Sequence, residues 1–312
     1  MNNEDFIRNS PVAGFYNDCR AAFEKGNARL PVERIINSHC HVYADKIAPR
    51  AVRAIDGFYE GLPVTPLDGT VGTMLREGEA CSISRFVVHS VATKPAQVSA
   101  INAYFSSLRR EDRAFGGPGK LITLGALHPE SDHPEKDFEE LVQFGLQGVK
   151  LHPDIQHFRA DDQKAMRIFE MCEAAGLPVL VHTGDFRYDY SNPGRIAAVL
   201  RRFPDLKMIG AHLGGWSVWE EAAALLADFP NYAVDTSSCF YWLQPQKALE
   251  MIRAYGSARV MFGTDYPMWP AQAELEYLRR LDLDADELED ICWRTCESIF
   301  KDRGREAQKV SA

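Results

Sequence analysis

The sequence predicts an α/β protein of the (β/α)8 TIM-barrel class. Three observations lead there. Short apolar runs recur along the chain, amphipathic stretches separate them, and histidine or aspartate tends to stand where a run ends. Eight runs read as strands: 34–37, 85–89, 121–127, 148–151, 178–182, 207–212, 232–235 and 260–264. Brief apolar runs bounded by turn signals fit strands buried on both faces, and strict strand–helix alternation implies parallel pairing with right-handed crossovers. Eight such units favour closure into a barrel over a doubly wound open sheet, the runner-up.

The intervening helices are legible. Residues 134–144 carry acidic residues early and place Phe138, Leu141 and Val142 on an apolar face. Residues 161–175 align Ala165, Ile168, Phe169 and Cys172 and end at Gly176, a natural stop. Residues 220–229 and 245–255 behave similarly, and 286–302 read as a final helix packed on the barrel. Two segments fall outside the repeat. Residues 1–33 form an N-terminal extension, read as a short helical cap. Residues 42–70 are a long first connection with Pro49, Gly57, Gly61, Pro63, Pro66 and Gly69, and connections of that length are usually lids or binding loops. No linker or charge block divides the chain, so 1–312 read as a single domain.

Composition narrows the function classes. Hydrophobic residues make up 46% and charged residues 25%, ordinary for a globular protein with a large core. A net charge of −9 argues against nucleic acid or an anionic membrane as partner, since phosphate binding needs clustered Lys and Arg. The partner class left is a small molecule. The polar start is unlike a signal peptide, and no apolar run nears the roughly 18 residues of a membrane span. Seven scattered cysteines fit reduced thiols and a cytoplasmic location. No G-x-G-x-x-G follows a strand, which disfavours a dinucleotide-dependent dehydrogenase.

In a TIM barrel the active site lies at the C-terminal ends of the strands. The first run ends in Ser38-His39-Cys40-His41, and residues two apart on a strand share a side, so His39 and His41 can both face the mouth. The fifth ends at His182, the sixth at His212 and the eighth at Asp265. Imidazole nitrogens with one carboxylate oxygen suit Zn2+ and related divalent ions, and a catalytic site keeps one position open. One such strand end is ambiguous; several in barrel order point to a metal centre.

The pieces INSHCH (36–41), GVKLHP (148–153), LPVLVHTG (177–184), IGAHLGG (209–215), VDTS (234–237) and MFGTDYP (261–267) resemble the amidohydrolase superfamily. More narrowly, they resemble the branch that contains aminocarboxymuconate-semialdehyde decarboxylase and many metal-dependent hydrolases. The resemblance implies His39, His41, His182 and Asp265 as metal ligands. It implies His212 as the residue that polarises substrate or orients water, with Asp265 as general base and acid. Lys150 stands where two-metal amidohydrolases carry a carbamylated bridging lysine. The branch implies one divalent ion, Zn2+ by default, and two if Lys150 is carbamylated; a homodimer is compatible with it. His152 shares the face of Lys150 as a substrate contact or a structural cap. Thr295-Cys296 replaces a frequent Asn-Ala pair in the last helix, outside the site.

Two reactions fit this ligand set. The first is hydrolysis of an amide, lactone or ester by activated water. The second is non-oxidative decarboxylation, which needs cationic anchors for a carboxylate. Arg187, Lys94, Lys150 and Arg53 are candidates, with Tyr188, Tyr190, Trp216, Tyr241 and Trp242 as apolar walls. His89 and His128 end strands and can line the pocket, whereas His133 and His157 read as loop residues. A non-catalytic binding protein is the third reading, disfavoured because every expected ligand type is present.

Overall fold

The computed structural model describes residues 10–25, 30–59, 66–114 and 119–300, side chains of 23–25 excepted. Every strand pairing is parallel and follows chain order. The first three strands are β1 (Ile35–His41), β2 (Ile83–His89) and β3 (Leu121–Thr123). They are followed by β4 (Gly125–Ala126), β5 (Val149–Leu151), β6 (Val179–Val181), β7 (Met208–Gly210), β8 (Tyr232–Asp235) and β9 (Val260–Met261). β3 and β4 are one barrel stave interrupted at Leu124: its N–H donates to Val88 O at 3.0 Å, while Gly125 N–H turns the other way, to Gly148 O at 2.9 Å. The ring closes where Ser38 N–H donates to Phe262 O at 2.8 Å and His41 N–H to Tyr266 O at 2.6 Å. Closure excludes the open doubly wound sheet. The eight staves fall on the eight apolar runs; β1 extends to His41, four residues beyond its run, β2 starts two residues early, and β9 ends three residues short of its run.

Helices cover the outside: α1 (Ala13–Lys25), α2 (Ala48–Phe58), α3 (Val71–Ala80), α4 (Val98–Arg113), α5 (Pro134–Gln143), the single turn α6 (Pro153–Gln156) and α7 (Gln163–Ala174). They continue with α8 (Pro193–Arg202), α9 (Trp219–Leu226), α10 (Pro245–Tyr255) and α11 (Ala271–Arg279). The long connection 42–70 is not all loop, since α2 occupies its centre. Pro49 sits in the first turn of α2, where its missing N–H costs nothing, so it starts a helix instead of breaking one. Gly61 and Pro63 of that connection lie outside the described residues.

The C-terminal helix is present and is interrupted: α12 (Ala285–Glu289), a π turn over Asp290–Arg294, then α13 (Thr295–Phe300). A π turn frees a carbonyl from the helical ladder. Here Ile291 O accepts from Phe262 N–H at 2.7 Å, tying the helix to the end of β9. Residues 301 and 302 of the expected helix lie outside the described residues. The N-terminal cap α1 packs on α11, where Tyr16 OH donates to the buried Glu274 carboxyl at 2.5 Å.

The interior of the barrel forms its own apolar layer of Ile36, Val87, Ile122, Leu124, Leu180, Ile209 and Met261, closed from below by Cys296 and Phe300. Above that layer the staves end in polar side chains.

Candidate metal centre

Inward polar groups begin one or two side chains above the apolar layer, and local backbone features aim them. On β1 the register against β2 slips between Asn37 and Cys40. That irregularity lets Ile36 and His39, three residues apart, both face the interior, while Cys40 joins the outer core. Asn37 holds the junction, donating to Thr264 Oγ1 at 2.8 Å and accepting from Thr264 N–H at 3.1 Å. At the ends of β7 and β9 the chain turns through left-handed residues, His212 with φ 61° and Asp265 with φ 57°. Such conformations are uncommon outside glycine and concentrate at functional sites. After β6, Gly184 has φ +76°, and a Cβ there would lie 2.6 Å from the Gly215 backbone, so the His182 and His212 loops can touch only with glycine.

The β1 and β9 side chains converge. His39 Nε2 lies 3.2 Å from His41 Nε2, and each lies 3.3 Å from Asp265 Oδ1. His39 Nδ1 contacts Asp235 Oδ2 at 2.8 Å. A carboxylate only accepts, so Nδ1 carries the proton and Nε2 presents a lone pair to the cluster. Burial pushes the His39 pKa down to about 4, which keeps the ring neutral. Burial alone would raise Asp235, yet His39 beside it holds the carboxylate at about 2. Asp265 is likewise kept ionised against its burial by His39, His41 and His212, and its Oδ2 accepts from Ser238 Oγ at 2.6 Å. Lys150 Nζ is fully buried 3.2 Å from His39 Nε2, and burial lowers its pKa to about 8.

His182 and His212 sit beside this group. His182 Nδ1 lies 2.9 Å from His212 Nε2, and His212 Nδ1 lies 2.9 Å from Ser237 O, which fixes the His212 proton on Nδ1. The His152 ring stacks on His182 with centroids 3.9 Å apart and planes at 7°. Asp154 Oδ2 approaches His182 Nε2 at 3.6 Å, too long for a hydrogen bond, and accepts from Ser191 Oγ at 2.8 Å. Burial raises Asp154 to about 7.

This donor set fits a divalent cation. Two imidazole lone pairs and a carboxylate oxygen face one point at 3.2–3.3 Å from one another, about the spacing of atoms that share an ion at 2.0–2.2 Å. Asp235 behind His39 is the outer carboxylate such ligands usually have.

A cavity of about 790 Å3 opens over these groups. His41, His152, His182, His212 and Asp265 reach its floor, and α2 contributes Arg50, Ala51, Ala54, Ile55 and Phe58 to one side. Of the substrate contacts named from sequence, His152 reaches the cavity, and Arg187, Tyr188, Lys94 and Trp216 do not. The Arg187 guanidinium pairs with Asp185 at 2.7 Å, donates to Phe58 O at 3.0 Å, and lies 5.0–5.6 Å from the rings of Phe58, Tyr59, Tyr188 and Trp216. It clamps the end of α2 to the loop after β6. Tyr188 stacks on Phe58 in that clamp, Trp216 is buried against Tyr59, and Lys94 is exposed at the turn before α4. None of these four, nor Arg53, lines the cavity, whereas Arg50 and the loop residue His157 do.

Sequence reasoning passed over Asp235, Asp154 and Ser238. Asp235 carried a signal, since it ends a stave as Asp265 does. Asp154 and Ser238 act through tertiary contacts that no spacing announces.

The chain belongs to the amidohydrolase family, whose model matches residues 36–301. Among solved structures it is similar to an uncharacterised TIM-barrel protein from Bordetella bronchiseptica, at 23% identity and TM-score 0.72, covering 87% of this chain and 100% of that one. It is also similar to 5-carboxyvanillate decarboxylase from Sphingomonas paucimobilis, at 16% identity and TM-score 0.67, covering 86% and 99%. A third likeness is to a dihydroxybenzoic acid decarboxylase from Polaromonas sp. with bound manganese, at 14% identity and TM-score 0.64, covering 86% and 97%. A search of curated proteins gave no match. No helix among the described residues is long and apolar enough to cross a membrane.

Proposed function

We propose that this enzyme is a metal-dependent hydrolase of an amide, lactone or ester in a small, largely apolar molecule, with His39, His41, His182 and Asp265 as ligands of one divalent ion, zinc or manganese. When bound, the ion supplies Lewis acidity, polarising a carbonyl and lowering the pKa of water from about 16 to near 7. Asp235 fixes the His39 tautomer so that its lone pair faces the site. Asp265 remains ionised, with Oδ1 facing the ion's position and Oδ2, to which Ser238 Oγ donates, keeping a lone pair that would take the proton of the attacking water and return it to the leaving group. His212 Nδ1 donates to Ser237 O, which turns Nε2 towards His182 Nδ1, 2.9 Å away, and the site, where it would orient water.

The observation that carries hydrolysis over decarboxylation is the cavity wall. A carboxylate substrate needs cationic anchors, and Arg50 is the one Lys or Arg among the described residues that line it. Arg187 is already paired with Asp185. A second reading, two ions bridged by carbamylated Lys150, is favoured by the placement of Nζ 3.2 Å from His39 Nε2 with the His182–His212 pair alongside. Assays on panels of small lactones, amides and aromatic carboxylates test the proposal. Water-dependent acid release that disappears in Asp265→Asn supports it; CO2 release from an aromatic acid contradicts it.

A further inference from the structure

His89, at the end of β2, is fully buried, and neither of its ring nitrogens has a hydrogen-bond partner. Buried polar groups in folded proteins are almost always paired, so an imidazole with both nitrogens unmet calls for a partner of another kind. Its neighbours are the two β1 histidines. The His89 ring centroid lies 4.8 Å from that of His39 and 4.5 Å from that of His41, with planes at 75° and 85°. One ligand-capable nitrogen on each of the three lies within 4.8 Å of the other two. His39 and His41 already turn lone pairs to a common point beside Asp265. One ring nitrogen of His89 thus lies within 4.8 Å of a nitrogen on each of that pair, and β2, which pairs directly with β1, holds it there through the Cα partners His41 and His89.

We propose that His89 is a direct ligand of the divalent ion, so that β1 and β2 together supply three imidazoles. This rests on the metal reading above, and it makes the β1–β2 edge, more than the His182 side, the anchor of the ion.

The test is a crystal structure of the wild-type protein loaded with zinc or manganese, the ion located by anomalous scattering. A His89 nitrogen at about 2.0–2.1 Å from zinc, or slightly farther from manganese, is the expected result. An ion on His39 and His41 with His89 beyond roughly 3 Å overturns the inference and leaves the hydrolase reading standing. A wild-type protein that takes up no ion brings down both. In solution, His89→Phe fills the space without a nitrogen and should weaken zinc affinity by more than about 100-fold, beyond the loss typical of an outer partner. Wild-type affinity in that variant would mean that His89 only packs its N–H edge on the faces of its neighbours.

Discussion

Along β1, Ile36 faces an apolar layer closed by Phe300, while His39, three residues on, faces Asp235, Lys150 and Asp265. The same change occurs from Val87 to His89 on β2 and from Leu180 to His182 on β6. Both levels are buried, so burial does not distinguish them. The lower level is held by packing alone and gains nothing from a ligand. The upper level buries lone pairs and carboxylates beside one another, an arrangement that costs stability unless each is hydrogen-bonded, protonated or bound to a cation. The contrast separates what makes the barrel stable from what makes it a site.

The largest effect that would sharpen this contrast lies in the upper level. His39→Ala or Asp265→Asn should reduce turnover on the order of 1000-fold or more and lower bound metal together with it, read by steady-state kinetics and metal analysis on the same preparations. In the lower level, Leu180→Ala should cost about 2–5 kcal/mol in denaturant unfolding. It should leave metal content per folded chain unchanged, and a parallel loss of metal would break the separation of levels. Asp235→Ala touches the ion only through His39, so metal affinity should fall about 10–100-fold while the variant still folds.

The smallest effects are in the pH dependence of the metal-stripped protein, and two buried groups predict opposite signs. His39 has its pKa lowered by burial from 6.5 to about 4, so its stabilising contribution is complete above pH 6.5 and is lost as pH falls towards 4. Glu274, under α1, has its pKa raised by burial from 4.5 to about 8, so its contribution is complete below pH 4.5 and is lost as pH rises through 8. Melting temperatures across this range should therefore fall at both ends, and Glu274→Gln should flatten the alkaline side alone. An unchanged alkaline slope in that variant would place its origin elsewhere.

The lower level and the polar residues that end the staves were legible because each follows from local pattern. Apolar runs located every stave, and the residues ending them located His39, His41, His182, His212 and Asp265 at the cavity floor or directly beneath it. What the pattern hid was set by long-range contacts. The β1 register slip that turns His39 inward depends on how β1 meets β2. The helix α2 was obscured by Pro49 and Gly57, which read as loop signals although both fit within a helix whose far end Arg187 clamps. Arg187 looked available for a substrate because its partner Asp185 is two residues away, where sequence alone gives no sign of a pair. Arg50 gave no sequence signal and reaches the cavity only because α2 is docked over it.

The most direct test is metal content per chain, by plasma mass spectrometry on protein purified without chelator and again after reconstitution. About one equivalent of zinc or manganese, removed along with activity by chelation and restored with it, is the predicted result. A value near two would make carbamylated Lys150 a bridging ligand. A chain that binds no divalent ion under either condition would contradict the account.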